Sequence, residues 1–379
     1  VRLRTAVIYG ENLARMSDII VIGGGIIGLL TARELIHEGA DVTLVDMSET
    51  GRESSWAGGG IVSPLYPWRY ADSVSRLASW SQAHYPSICD ELHETTGVDP
   101  EFTRSGLLTL ETDERPQAEA WAAAHGKRLE FADRDWIEEL EPALGPETPG
   151  EGIWLPDVGQ VRNPRLARAA RLAIADKARI VEHAEVRRLY IEDGRIKGVQ
   201  VHEEMLPTEA VVVCAGAWTG KLLAEFGPAP EIQPVKGQMV LFYAKPGQIQ
   251  RIVLSEDRYV IPRRDGRVLV GSTLEHTGFI KATTAEAKEE LYRKAVEMFP
   301  LLKHTPIENQ WAGLRPGSPS GIPYIGGFAN IQGLYVNAGH FRNGVVLAPG
   351  SAHLIADIVL DRQPILDPTP YALSVDRGA

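Results

Sequence analysis

The sequence predicts an α/β fold: a parallel-sheet domain assembled from separated pieces of chain, with a second, mainly antiparallel domain inserted into it. Three observations carry that expectation. Residues 18–46, DIIVIGGGIIGLLTARELIHEGADVTLVD, read as strand, glycine-rich turn, helix, strand and terminal acid. Buried, parallel-type strand signals return much later, at residues 210–214 and 335–338. Between these, residues 234–243, 251–254, 259–263 and 267–271 are short strands separated by turn residues, the mark of an antiparallel sheet.

The opening segment is the most informative. Residues 19–22 form an apolar run of strand length, broken by Gly23, Gly24 and Gly25, with Gly28 three residues on. Apolar residues recur at Leu29, Ala32, Leu35 and Ile36, and Gly39 is placed to end that helix. The second strand, residues 42–45, finishes in Asp46. Together these make a complete dinucleotide fingerprint. Gly23 permits the tight turn, Gly25 lets backbone approach a pyrophosphate, and Gly28 lets helix pack on strand. The helix N-terminus, at Ile26 and Ile27, offers N–H groups and positive dipole to the phosphates. Asp46 is placed to accept from a ribose hydroxyl.

A loop rich in glycine and serine follows, ETGRESSWAGGGIVSPLYP. Arg52, Ser54 and Ser55 can reach phosphates from it, and Gly58, Gly59 and Gly60 let backbone pass close to a flat ring. Residues 73–96 read as a long amphipathic helix ending at Gly97. A strand at 106–110, helices at 116–125 and 133–141, and a proline- and glycine-rich connector at 145–152 form an excursion from the first domain. Residues 161–176 return to helix, with Asn163 as its cap and Pro164 at the first helical position. A hairpin turned by Asp193-Gly194 comes next. The strand at 210–214 stops at Ala215-Gly216-Ala217-Trp218, where small residues suggest close approach of a ligand. After a helix at 284–299 and the last parallel strand, GHFRNG leads into a helix near 345–360, with Pro349 close to its start. In GHFRNG, Gly339 and Gly344 turn N–H groups inward beside His340, Phe341, Arg342 and Asn343, and the following helix adds positive field. The expected domains are residues 16–82, 155–222 and 325–379 against 83–154 and 223–324, with 1–15 an amino-terminal extension.

Composition sets limits. The chain has 379 residues, 44% hydrophobic and 23% charged, as in an ordinary globular protein of two domains. A net charge of −11 argues against a nucleic-acid partner. No apolar run has the length of a membrane span. Two cysteines, Cys89 and Cys214, make neither a disulfide framework nor a metal site, so a reducing, cytoplasmic setting and no metal are expected.

GxGxxG, GRESSWAGGG, CAGAW, VKGQM, RYVIPRRDG, GSTLE, WAGLRPGSPSGIPYIG and GHFRNG occur together and in this order. In these motifs the chain resembles the D-amino-acid oxidase superfamily of flavoproteins, and within it the glycine oxidases associated with thiamine biosynthesis. The resemblance runs from about residue 17 to 368. It implies a Rossmann-like FAD-binding domain with an inserted antiparallel-sheet substrate domain. It also implies non-covalent FAD, held at the residues above together with Val186 and Trp218. Implied too are a small amino-acid substrate and molecular oxygen as partners, self-association being left open.

Arginine suits a carboxylate because its fork binds both oxygens. The resemblance gives that role to Arg315, assisted by Tyr259 and Arg342. On the residues alone, Arg315 reads equally as a surface ion-pair arginine and Tyr259 as a sheet-packing tyrosine. The resemblance implies hydride transfer from a neutral amine, so His340 is expected to contribute backbone rather than act as a base. It also puts Leu274 in the substrate pocket and Asp257 near it, at positions where relatives carry methionine and histidine. Other readings are an oxidase of sarcosine, another N-substituted glycine or a D-amino acid, an amine dehydrogenase feeding a carrier, or a non-catalytic flavin-binding subunit.

Overall fold

The computed structural model describes residues 17–224, 226, 229–375 and 377. The extension assigned to residues 1–15 lies outside them. Two sheets organise the chain. The first has nine strands, its main path running Glu204–Pro207, Arg195–Val201, Ile331–Ala338, Ala210–Val213, Ile19–Ile22, Val42–Val45, Arg179–Val181. Its central strands are parallel. Ile19–Ile22 and Val42–Val45 are buried at every position, which is why they read as unbroken apolar runs rather than alternating ones.

Helices Ile26–His37, Asn163–Ile174 and Gly344–Val359 cover one face of this sheet. The long helix Asp72–Thr96 joins them, burying Val74, Leu77, Tyr85, Cys89 and Leu92 in the same core. The domain boundary expected at 82/83 therefore falls inside one continuous helix that packs on the first sheet. This helix also repairs its neighbour. Pro349 is the sixth residue of Gly344–Val359 rather than near its first turn, and it cannot donate to the Val345 carbonyl. The Tyr85 hydroxyl donates to that carbonyl instead, at 2.6 Å, and Ser81 Oγ accepts from the Gly350 N–H at 2.9 Å. A proline inside a helix is tolerated here because two side chains, one turn apart, stand in for the broken ladder.

The second sheet has eight strands: Ile307–Gly317, Gln233–Tyr243, Arg267–Gly271, Arg258–Pro262, Ile252–Ser255, Leu107–Thr109, Glu151–Leu155 and Glu130–Asp133. All its pairings are antiparallel except Ile252–Ser255 with Leu107–Thr109. One face packs Val240, Phe242, Val260 and Val270 against helix Ala285–Met298. The other face carries Met239, Tyr259, Ile261 and Leu269. Tyr259 and Val260 thus point to opposite faces, as strand periodicity requires. Strand Ile307–Gly317 has no counterpart in the sequence reading, because its glycines and proline mimic a loop. It is an edge strand, where Pro316 removes no ladder bond the sheet depends on.

Asn163 is not the cap it resembles. The helix begins at Asn163 itself, and its side-chain amide donates to the Ser55 carbonyl at 3.0 Å, tying the helix to the glycine-rich loop. Among the described residues, no helix is long and apolar enough to cross a membrane.

Candidate active site

The carboxyl ends of Ile19–Ile22, Val42–Val45, Ala210–Val213 and Ile331–Ala338 lie side by side, so four turns open at one edge of the first sheet. They border a cavity of about 510 Å³ whose opposite wall is the second sheet. Gly23, Gly25, Ile26, Ile27, Asp46, Arg52, Ser54, Ser55, Gly58, Gly59, Val186, Ala215, Gly216, Trp218, Tyr259, Arg315, His340, Phe341, Arg342 and Gly344 all line it. More than four-fifths of the chain's length separates the first of these from the last.

The fingerprint glycines have distinct causes. Gly23 has φ +105°, and a Cβ there would lie 2.4 Å from the Cys214 carbonyl oxygen. A Cβ on Gly28 would lie 1.8 Å from the Gly23 carbonyl oxygen. Gly28 therefore packs behind the cavity wall rather than in it. A Cβ on Gly25 would meet only Ser55 Oγ, leaving its backbone open towards the cavity. The N-cap of the helix that starts at Ile26 is Gly25, which has no side chain, and Ser55 Oγ accepts from the Ile26 N–H at 2.8 Å instead.

Asp46 accepts from the Gly24 N–H at 2.6 Å on one oxygen, and from the Ser48 N–H at 2.7 Å and hydroxyl at 3.0 Å on the other. Burial raises its carboxyl above the ordinary value, while these bonds favour the ionised form. The oxygen bonded only by Gly24 keeps a further lone pair for a ligand hydroxyl. Arg52 pairs with Glu49 at 2.7 Å and is more than half exposed, so it stands at the rim. Ser54 donates to the Leu314 carbonyl and thereby links the loop to the second sheet. Gly59 and Gly60 are required by protein contacts: a Cβ would meet Ile261 at 2.9 Å and the Val161 carbonyl at 2.1 Å respectively.

At the other end, Arg315 lies across Gly237, where a Cβ would fall 2.1 Å from a guanidinium nitrogen. Its NH2 donates to Ser272 Oγ at 2.6 Å and its NH1 to the Thr273 carbonyl at 3.1 Å. No carboxylate among the described residues pairs with it. Glu275 is engaged instead by Lys236 at 2.8 Å. Burial pulls the Arg315 guanidinium below its ordinary value, Tyr259 opposing and the charge of Arg342 adding to the shift. A partly buried cation held only by neutral oxygens is a site for an anion. Arg342 lines the same cavity and is 3.9 Å from Asp257.

His340 is buried, and burial pushes its imidazole down to about 3. Ser351 Oγ donates to the Leu347 carbonyl at 2.7 Å, so at its 2.9 Å contact with His340 it accepts from the Nε2 hydrogen. The ring is thus neutral and fixed to the last helix. Gly339 and Asn343 also serve structure from behind the wall. The Gly339 carbonyl accepts from Ser318 Oγ at 2.7 Å, and Asn343 is buried at the helix start.

Leu274 is a correction. It is 49% exposed and lies outside the cavity. Thr273 and Glu275, on either side of it, turn inward to Gln238 and Lys236, which leaves the Leu274 side chain turned outward. Met239, absent from the sequence reading, lines the cavity instead. The signal was present in VKGQM: residues 235, 237 and 239 share one face of a strand.

A parallel sheet whose turns offer backbone to a dinucleotide, facing an antiparallel sheet that holds a partly buried cation, defines a two-domain nucleotide-dependent oxidoreductase. Residues 18–358 match the family of FAD dependent oxidoreductases, and the chain belongs to that family. It is 47% identical to a glycine oxidase of Pseudomonas putida, over 94% of this chain and 98% of that one. It is 47% identical to the glycine oxidase of Pseudomonas aeruginosa, over 93% and 98%. The crystal structure of glycine oxidase from Geobacillus kaustophilus superposes with a TM-score of 0.92 at 28% identity, covering 96% of this chain and all of the other.

Proposed function

We propose that the protein oxidises glycine, or a closely related small amine, to an imine that water converts to glyoxylate and ammonia, with hydrogen peroxide formed from molecular oxygen. The observation that carries this reading is the partly buried Arg315, pairing with no carboxylate among the described residues and facing the cavity shared with the fingerprint turns. Bound FAD supplies the two-electron acceptor. The residues present fit it: Gly23, Gly25 and Asp46 at the nucleotide end, and the uncapped N-terminus of Gly344–Val359 at the other. Arg315 would hold the substrate carboxylate, with Tyr259 and Arg342 beside it, and so fix the α-carbon for reaction. His340 carries no charge and has its Nε2 hydrogen committed, so it holds the helix in place and moves no proton. Cys214 borders the cavity, but burial pushes its thiol up to about 12, which supports non-covalent flavin. A role in thiamine biosynthesis is the setting that the motif resemblance suggests.

The test is peroxide release by the purified yellow protein with glycine, N-methylglycine, D-alanine and an amine lacking a carboxylate. Glycine should be oxidised, the last amine should not, and acid precipitation should release the flavin. Yellow protein that yields no peroxide from any carboxylate-bearing amine sinks the proposal.

A further inference from the structure

Three neighbouring strands of the second sheet place one residue each in a row. Met239 pairs with Gly271, and Gly271 with Tyr259. The middle residue has no side chain, and the outer two close over it. The Tyr259 hydroxyl donates to Met239 Sδ at 3.4 Å. A Cβ on Gly271 would lie 2.3 Å from that sulfur and 2.9 Å from the Tyr259 ring, so only glycine lets them meet.

On the same face of the Met239 strand, two residues earlier, Gly237 carries the Arg315 guanidinium. Residues two apart on a strand are separated by about 6.8 Å. A carboxylate on Arg315 therefore puts the α-carbon, and whatever it bears, against the Met239–Tyr259 pair. Leu274 faces solvent and has no such reach.

We infer that Met239 is the specificity-determining residue of this site. Its thioether, pinned by Tyr259 across Gly271, fills the space that a substituent on the α-carbon would need. A methionine free to move would yield to a larger substrate, because three rotatable bonds let it adapt. Here the hydroxyl contact and the close strand beneath hold it in one place. The inference rests on the amino-acid oxidase reading above.

The experiment uses flavin-loaded Met239→Ala, Met239→Val and Leu274→Ala beside the parent, with glycine, D-alanine and D-2-aminobutyrate as substrates. In Met239→Ala the ratio of kcat/KM for D-2-aminobutyrate to that for glycine should rise about tenfold or more, the scale set by one or two methylenes in an apolar pocket. Met239→Val should move the same way by less, and it serves if the alanine variant fails to hold flavin. Leu274→Ala should leave the ratio unchanged. A Met239 variant that holds flavin and oxidises glycine with the parental ratio overturns the inference alone. A parent that oxidises none of the panel overturns the oxidase reading and this inference with it.

Discussion

The two ends of the cavity are built in opposite ways. At the nucleotide end the surface is largely backbone, supplied by turns at the carboxyl ends of parallel strands, and glycines stand where chain meets chain. Gly23 is pressed on the Cys214 carbonyl, and Gly28 on the carbonyl of Gly23. At the second-sheet end the surface is side chains: Arg315, Tyr259 and Met239, each from a different strand, with glycine beneath them at positions 237 and 271. Glycine thus does two jobs. In one place it lets backbone approach a ligand, and in the other it makes room for a neighbour's functional side chain. The nucleotide end should therefore fail when a methyl group is added, and the other end when a side chain is removed.

The largest expected effect is at Arg315. Arg315→Ala removes the fixed partner of a desolvated carboxylate and should cost about 3 kcal/mol in kcat/KM for glycine, roughly a hundredfold or more. Arg315→Lys should recover only part, since one point charge replaces a fork. Flavin content should stay at the parental level, measured by absorbance after acid release. Normal glycine oxidation by Arg315→Ala, or loss of flavin from it, would break the division of labour between the two ends.

Gly28→Ala makes the complementary case. A methyl group 1.8 Å from the Gly23 carbonyl oxygen must push helix from strand. The stability cost should be about 1–3 kcal/mol, as for overpacked cores, with weakened flavin retention as the turn shifts. Whatever flavin remains should turn over glycine with a near-parental KM, because Arg315 is untouched. A variant with parental thermal stability and full flavin would show that the fingerprint turn is looser than its contacts imply.

The same contrast explains what could be read from the sequence. The nucleotide end is local: strand, turn, helix and acid lie within residues 18–46, and their spacing alone specifies the geometry. The second-sheet end is assembled from residues 237, 239, 259, 271 and 315, and only strand register brings them together. Arg315 and Tyr259 were reachable through motif resemblance, whereas periodicity left each with two readings. Leu274 shows where resemblance by position fails, since Thr273 and Glu275 on either side take the inward contacts and leave it to solvent. The helix Asp72–Thr96 was legible as a helix but not as part of the first domain. Its partners, Val345 and Gly350, lie more than 250 residues away.

Cys214 gives the smallest expected effect and the finest test of the contrast. It sits where Gly23 presses on its carbonyl, and its N–H donates to the Ile22 carbonyl at 2.7 Å. Everything it contributes to the turn is main chain. Its thiol is buried and pushed up to about 12 by that burial, which disfavours the thiolate that a nucleophile needs. Thr31 Oγ1, 4.0 Å from the sulfur, already accepts from the Asn337 amide and can take a serine hydroxyl in place of the thiol. Cys214→Ser should therefore keep its flavin and turn over glycine within about threefold of the parent, under ~1 kcal/mol in the barrier. Cys89 is buried as well, its thiol likewise pushed up to about 12 by burial, so a thiol reagent at neutral pH should label the native protein only as it unfolds. Rapid labelling of folded protein, or loss of flavin from a folded Cys214→Ser variant, would mean that a side chain, and not only backbone, supports the nucleotide end.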